Sequence, residues 1–442
     1  MNRYVSTTFT ITLVLILFLF LLISGLHIHS VLLASGVIGL AIIDGFGILE
    51  GLLGNQPYNS VAAYSLSTIP LYVLMAQFIL QSDIVKDYFT IVHRLSRGKG
   101  SVLGGLTIVA GGFLGAVSGS GTASSAALGQ VAVPEMNKRG FSPALSGAIA
   151  AAGGSLSSII PPSITLIIYG IATETPIGQL FIGAIIPGVL TAIVFIIVMY
   201  FLMKSKWNQK EIVPTTEEEE DMKIPFTRLF LVTAVGLAIV GVIFGGIYLG
   251  FVTPTEAGAV GAFAAFLAAL ILGKVNKKFF MISIGETVKV SVMVMLILIG
   301  AQVFGRFISL SLLPRKLINL LEPIMQYPAL ILGILLLIYF ILFMFIEGAA
   351  VILMTTPVVI PIINTINVDP LWFGVFVSVI ATIGLITPPV GISVYAVSGA
   401  SRISSDSIFR FAMVFAVVAT VIVGGVMIAF PETALWLPNL MK

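Results

Sequence analysis

The sequence predicts an all-α integral membrane protein in which one broken-helix unit occurs twice, the second copy upside down relative to the first. Three observations predict it. Of 442 residues 58% are hydrophobic and only 9% charged, whereas a soluble domain carries about 25% charged residues. Apolar runs long enough to cross a bilayer recur along the whole chain. Prolines repeat in register: Pro134, Pro143 and Pro161-Pro162 are matched by Pro361, Pro370 and Pro388-Pro389, and 361 − 134, 370 − 143 and 388 − 161 all equal 227.

Taken in order, the apolar patterning predicts spans at 7–25, 29–48 and 66–82, then a Gly-rich segment at 101–135. Spans follow at 144–173, 177–203, 226–249, 253–273 and 287–313, then a second unusual segment at 328–362, and finally 370–400 and 407–430. Residues 9–23 have the length of a signal peptide, but Ser24-Gly-Leu-His-Ile-His29 lacks a small-x-small cleavage pattern and another apolar stretch follows at once, so this is read as the first span. Thr253-Pro-Thr-Glu256 reads as a capping box, with Thr at the N-cap, Pro at the first helical position and Glu three residues on. The polar stretch 204–225, with the acidic run 217–221, reads as a solvated linker between two halves or a docking site.

Lys and Arg in short loops set the orientation. The clusters at 86–99, Lys138-Arg139, 204–210, 274–278 and Arg402/Arg410 fall on one side only if 101–135 and 328–362 leave by the face they entered. That side is expected to be cytoplasmic, with both termini outside; Arg3, Arg315 and Lys316 are exceptions. Five spans then separate the two re-entrant hairpins, and an odd number inverts the second copy. The register of 227 also pairs Gly121 with Gly348, Ala123 with Ala350, Asn137 with Asn364 and Gly147 with Gly374, with no gap between 121 and 162. Inverted repeats with sites where broken helices meet near the midplane are a hallmark of secondary transporters.

The first hairpin tip, Ser118-Gly-Ser-Gly-Thr-Ala-Ser-Ser125, disfavours a continuous helix and supplies hydroxyls, carbonyls and amides at membrane depth. Such backbone is tolerated there only when buried in protein or lining a cavity; small-residue helix packing is the competing reading. The partner span holds Gly153-Gly-Ser-Leu-Ser-Ser-Ile-Ile-Pro-Pro162, and its second copy Gly384-Leu-Ile-Thr-Pro-Pro389. Paired prolines remove two donors and free the carbonyls one turn earlier. Neutral carbonyls and hydroxyls without a carboxylate suit a monovalent hard cation, sodium first, since a divalent ion usually recruits Asp or Glu. Two charges lie at membrane depth, Arg306 and Glu347, and each is a functional candidate by default. Arg306 reads as a fork for a substrate carboxylate, as an internal ion pair or as a side chain snorkelling toward the outer face; Glu347 reads as a site residue or as a brace for the second hairpin.

Other classes are disfavoured. There is no cysteine, which removes disulfides, thiolate metal sites and cysteine nucleophiles. Three scattered histidines do not make a zinc site. A net charge of +3 with no basic amphipathic face gives no sign of nucleic-acid binding. Metalloprotease, nucleophile-elbow and Walker A motifs are missing, so no enzyme is expected and no organic cofactor.

These residues resemble the large membrane subunit of tripartite ATP-independent periplasmic transporters along nearly the whole chain. The resemblance is carried by the 118–123 tip with Pro134 and Lys138-Arg-Gly140, by Ile159-Ile-Pro-Pro-Ser163 with Tyr169-Gly170, by 253–257 and 385–391, and by Leu435-Trp-Leu-Pro438. It implies an elevator-type secondary transporter in which a domain of both hairpins and both broken helices slides against a scaffold. It implies two or more Na+ ions driving import, a small four-helix membrane subunit as a separate chain, and a periplasmic protein that delivers a small organic anion of the sialic acid or C4-dicarboxylate class. By analogy, one sodium would be held by Ser118, Ser120, Ser157, Ile160 and Pro162, and the other by Gly348, Ala349, Gly384, Thr387 and Pro389. Substrate would meet Ser120, Gly121, Thr122, Ser155, Pro161, Arg306 and Glu347. The sequence departs from the family at Glu347, where Asp is common, and carries no four-helix portion of its own. The expected division is scaffold 1–100, first repeat 101–175, scaffold and arm 176–327 with the linker, second repeat 328–402 and a C-terminal helix 403–442, in a bacterial inner membrane. A stand-alone sodium–carboxylate symporter of related fold is the alternative, and a channel subunit the next.

Overall fold

The computed structural model describes residues 2–82, 84–118, 120–208, 233–238 and 240–441, leaving out the side chains of 2–6, 85, 86, 116–118, 242 and 244. Every regular element among them is helical. The acidic run 217–221 and most of the expected span 226–249 lie outside the described residues.

The chain opens with α1 (Asn2–Ile23), α2 (Ile28–Asp44), α3 (Gly47–Val61), α4 (Thr68–Gln81) and α5 (Ile84–Ser96). The first repeat is α6 (Gly100–Ser118), α7 (Gly121–Lys138), α8 (Pro143–Ser155) and α9 (Ile164–Thr173). Then come α10 (Ile177–Gly183), α11 (Ile185–Lys204), α12 (Pro254–Ile271), α13 (Lys277–Leu310) and α14 (Leu313–Leu321). The second repeat is α15 (Pro328–Phe345), α16 (Gly348–Thr365), α17 (Pro370–Gly384) and α18 (Ile392–Ser401), followed by α19 (Ser405–Ala419) and α20 (Glu432–Asn439).

The offset of 227 now reads out in helix boundaries. Adding 227 to 118, 121, 138 and 143 gives 345, 348, 365 and 370, the corresponding boundaries of the second copy. The caps follow the same rule by different chemistry. Ser120 Oγ accepts from Ala123 N, while at 120 + 227 = 347 the Glu347 carboxylate accepts from Ala349 N and Ala350 N. Ser142 accepts from Leu145 N ahead of Pro143, and Asp369 from Leu371 N ahead of Pro370. These devices satisfy amides that a helix start leaves bare. Both Pro-Pro peptides, 161–162 and 388–389, are cis.

Each hairpin returns to the face it left. A Cβ added at Gly100 would sit 2.6 Å from the Arg139 carbonyl oxygen, so the two ends of α6–α7 meet. In α15–α16 the Tyr339 and Thr355 hydroxyls lie 2.7 Å apart, eight residues either side of Glu347. The hairpins enter from opposite faces. α7 packs along α18, with Gly121 against Leu385 and Gly129 against Val397 and Ala400, so those helices run the same way. α16 packs along α9, Gly348 lies beside Thr165, and Tyr169 Oη donates to the Pro370 carbonyl at 2.7 Å. Thus 100, 138, 143 and 401 share one face, and 173, 328, 365 and 370 the other.

The first of these faces gathers the basic clusters. His93 on α5 contacts Arg139 and lies 3.6 Å from Glu135, while Asn208 beyond Lys204 donates to the Gly140 carbonyl at 3.1 Å. Phe78 near the end of α4 stacks on Phe279 beside Lys277 and Lys278. Both chain ends lie on the opposite face: Lys316 donates to Thr8 Oγ1 at 2.8 Å, and Gly183 packs against Leu371, Ala434 and Pro438.

Around the repeats, α13 packs on α2, α3 and α4, and α12 on α4. The capping box forms as read: Glu256 N donates to Thr253 Oγ1 at 3.3 Å, and Thr253 N to Glu256 Oε2 at 2.8 Å. Thr255 then ties α12 to α4 through a buried 2.6 Å hydroxyl pair with Thr68.

Several expectations need correction. The stretch after 29–48 is helical: α3 and the segment Tyr64–Gln81 form a pair bent by 52°. Gly51, Gly54, Asn55, Pro57 and Asn59 give α3 a loop-like composition, and its packing on α13 overrides that. The basic "loop" at 86–99 contains the amphipathic α5, and α14 fills part of the gap before the second hairpin. α13 starts ten residues before 287, capped by Asn276, and its 34 residues span about 51 Å, more than a bilayer core of about 30 Å. Among the described residues six helices are long and apolar enough to cross a bilayer alone, or seven with the bent pair as one; two of the six, α15 and α16, are hairpin arms.

Candidate functional site

Both tips and both breaks converge. A cavity of about 440 Å³ is lined by Ser120–Ala123 of the first tip, Glu347–Ala349 of the second, Ser158 and Thr165 from the first break, and Gly384, Leu385 and Val390–Ile392 from the second. The wall opposite them is formed by α4, between Val73 and Leu80, and α13, between Glu286 and Val294, the ends of those helices nearer the basic face.

Local chemistry explains why the chain breaks here. Pro161 and Pro162 cannot donate to the carbonyls of Ser157 and Ser158, nor Pro388 and Pro389 to those of Gly384 and Leu385. Part of that deficit is made good internally. Ser163 Oγ donates to the Ser158 carbonyl at 2.5 Å, Ser393 N to the Leu385 carbonyl at 3.0 Å, and Thr387 N to the Gly384 carbonyl at 3.0 Å. The Ser157 side chain is fully buried, and its hydroxyl has no hydrogen-bond partner among the described residues. It points at the first tip, 3.2 Å from where a Cβ would stand on Gly121. A buried hydroxyl left unpaired costs about 1–3 kcal/mol; Ser35, Ser146 and Ser393 are buried and unpaired as well, and Ser157 differs from them in standing against the first tip.

Of the expected first ion set, Ser120 lines the cavity, Ser157, Ile160 and Pro162 stand behind it, and the Ser118 side chain lies outside the described residues. Of the second set, Gly348, Ala349 and Gly384 line the cavity. Gly384 packs on the end of α15, where a Cβ would stand 2.9 Å from the Phe343 carbonyl oxygen, and Val390 N donates to the Met344 carbonyl at 3.3 Å. Thr387 is buried just behind, its hydroxyl donating to the Ile383 carbonyl at 2.7 Å, and the Pro389 carbonyl accepts from Tyr395 Oη at 3.4 Å.

Of the expected substrate residues, Ser120, Gly121, Thr122 and Glu347 line this cavity. Ser155 does not, because its hydroxyl turns back on the Ala152 carbonyl at 2.9 Å, and Pro161 is buried. Arg306 faces a second cavity of about 930 Å³ on the opposite face, between α3 and α13 on one side and the ends of α9 and α16 on the other. Gln56, Glu174, Gln302, Ser309 and Thr356 share that space. The internal ion pair weighed for Arg306 does not form among the described residues.

Sequence reasoning missed Gln77 and Glu286, which bring an amide and a carboxylate from the scaffold to the first cavity. Gln77 was detectable as an amide in the middle of the apolar run of α4.

Comparison with known proteins completes the picture. The model of the DctM component of tripartite ATP-independent periplasmic transporters matches residues 14–433. The chain is 30% identical over 387 residues to the sialic acid TRAP transporter large permease protein SiaM of Vibrio cholerae, covering 87% of this chain and 88% of that one. It is 29% identical to the C4-dicarboxylate TRAP transporter large permease protein DctM of Pseudomonas aeruginosa, covering 85% and 86%. Among solved structures, the Alcanivorax borkumensis YdaH transporter shares the fold, with a TM-score of 0.64, 14% identity, and 87% and 89% of the two chains covered.

Proposed function

The chain belongs to the DctM family of tripartite ATP-independent periplasmic transporters, and on that premise we propose that it imports a small organic anion with sodium, by an elevator movement of the two repeats against α2, α4, α12 and α13. It is a transport protein, not an enzyme. The observation that carries the proposal is the meeting of two inverted tips and two proline breaks at one cavity, with the buried Ser157 hydroxyl unpaired beside Gly121. The hydroxyls and carbonyls of the tips and breaks are neutral oxygen donors, which suit a weakly held monovalent ion.

In this reading Ser118, Ser120, Ser157, Ile160 and Pro162 hold one sodium, and Gly348, Ala349, Gly384, Thr387 and Pro389 the other. The ions brace the tips, and Ser120, Gly121, Thr122 and Glu347 receive the anion between them. The cavity lies toward the basic face, which supports an inward-facing state if that face is cytoplasmic. The chain ends are then periplasmic, in a bacterial inner membrane. A small four-helix subunit completes the scaffold, and a periplasmic binding protein delivers a sialic acid, a C4-dicarboxylate or a related acid.

The test is uptake into proteoliposomes holding the chain, its small subunit and the binding protein. Uptake should require sodium, and Ser157→Ala should raise the sodium concentration for half-maximal uptake about tenfold, the worth of one well-placed ligand of about 1.4 kcal/mol. Equal rates with and without sodium sink the coupling.

The second cavity is the outward vestibule in the same reading, and Arg306 its anion-attracting group. A charge-assisted bond to a carboxylate contributes about 1.5–3 kcal/mol. Arg306→Ala should therefore raise the anion concentration for half-maximal uptake at least about tenfold while the sodium requirement stays put. Unchanged uptake kinetics in that variant exclude the role.

A further inference from the structure

Two of the basic residues that break the charge asymmetry, Arg315 and Lys316, stand next to each other on α14. Lys316 Nζ donates to Thr8 Oγ1 at 2.8 Å, which fastens the start of α1, the helix that carries Arg3, to α14. Arg315 is exposed beside it, with no ion-pair partner among the described residues.

Directly below lies an apolar cleft of about 290 Å³ between the scaffold and the second hairpin. Phe18 of α1, Ile308 of α13 and Leu317 of α14 form one wall; Leu335, Ile338 and Val358 of α15 and α16 form the other. Thr355 is the single polar side chain along it, and its hydroxyl is already used, donating to the Val351 carbonyl at 2.7 Å. The cleft opens on the apolar flank of α15, where Ile338 is 47% and Ile341 54% exposed.

α14 explains the junction of charge and cleft. It is amphipathic: Leu313, Leu317 and Leu321 recur at helical spacing on the cleft side, and Arg315, Lys316 and Asn319 fall outside that stripe. Its one acidic neighbour in sequence, Glu322, begins the following turn six residues after Lys316. Basic side chains just above an acyl-accepting groove, at the end of a membrane-crossing helix, are the arrangement that holds a lipid phosphate.

We propose that this cleft binds one anionic phospholipid, an acyl chain lying between the second hairpin and α1, α13 and α14, and the phosphate held by Arg315 and Lys316. The inference stands on the cleft and its charges and does not need the sodium or elevator readings. It gives a physical reason for two adjacent basic residues on the face that carries few of them.

Native mass spectrometry of the full chain in detergent tests it, with phosphatidylglycerol and phosphatidylcholine of matched acyl chains as ligands. Phosphatidylglycerol should bind at least about tenfold more tightly, since each basic side chain near a lipid phosphate contributes about fivefold. Arg315→Gln with Lys316→Gln, both outside the packed core, should erase that preference by weakening phosphatidylglycerol far more than phosphatidylcholine. Ile338→Trp should weaken both lipids by filling the cleft. Equal affinity for the two lipids in the parent protein overturns the proposal, as does a preference that survives the double substitution. Loss of the phosphatidylglycerol adducts on adding the small membrane subunit also overturns it, because the cleft would then belong to a protein helix.

Discussion

Glu347→Ala is expected to reduce uptake about 30-fold or more and to lower the melting temperature, while Glu347→Asp keeps most of both. The carboxylate caps α16 at the tip of the second hairpin, Oε2 accepting from Ala349 N at 3.1 Å and from Ala350 N at 3.4 Å. Each such hydrogen bond contributes about 0.5–1.5 kcal/mol, and an N-cap lost to Ala costs about 0.5–2 kcal/mol. Loss of about 2 kcal/mol from the tip in one transport conformation alone corresponds to the stated 30-fold. Asp is itself a good N-cap. The register supplies a further arm: Glu347→Ser places in the second repeat the cap that Ser120 gives the first. If capping is the whole role, Glu347→Ser recovers thermal stability and uptake together. If the carboxylate also meets the transported anion or its ions, stability returns and uptake does not. Parental uptake in Glu347→Ala would remove the tip from the mechanism.

The inverted pair was legible in the sequence because its signal is local and chemical. A proline cannot donate and a Gly-Ser run leaves a helix readily, so residues 118–125, 161–162 and 388–389 announce their breaks, and the constant offset announces the pairing. What the two copies do with that shared backbone was not legible. The first tip is capped by Ser120 and the second by Glu347, so one register position carries a hydroxyl cap in one copy and a carboxyl cap in the other. In sequence Glu347 showed only as a charge at membrane depth. Helices that lie along the surface or brace the scaffold were lost for a different reason. α5 and α14 are short and half polar, and α3 is rich in glycine and asparagine, so span-length windows read them as loops. Arg306 shows a third limit. Its depth follows from its place in an apolar run, but which of two cavities it faces depends on how α13 lies against α3, α9 and α16, a matter of tertiary packing.

Gly154→Val should leave uptake at background, with a marked loss of thermal stability. α7 and α8 approach so closely that a Cβ on Gly154 would stand 2.5 Å from Ser125 N and 2.6 Å from Ser125 Cα. Those are backbone atoms, so no rotamer change relieves the overlap and α7 must move off α8. α7 begins at the tip and carries Gly121 and Thr122, which face Ser157 and the cavity. Displacing it opens the gap that the Ser157 hydroxyl now closes. Overpacking a tight interior typically costs about 1–3 kcal/mol, and a rigid contact between two backbones belongs at the upper end. Gly399→Ala serves as the control, because a Cβ there meets nothing within 4 Å. Replacing a glycine within helix α18 by alanine should leave uptake unchanged and raise stability by about 0.5–1 kcal/mol. Scanning fluorimetry and sodium-driven uptake on the three proteins decide the matter. Equal melting temperatures for Gly154→Val and the parent would mean that the two helices do not touch as described, and the tip would then lose the support that places it against the proline break.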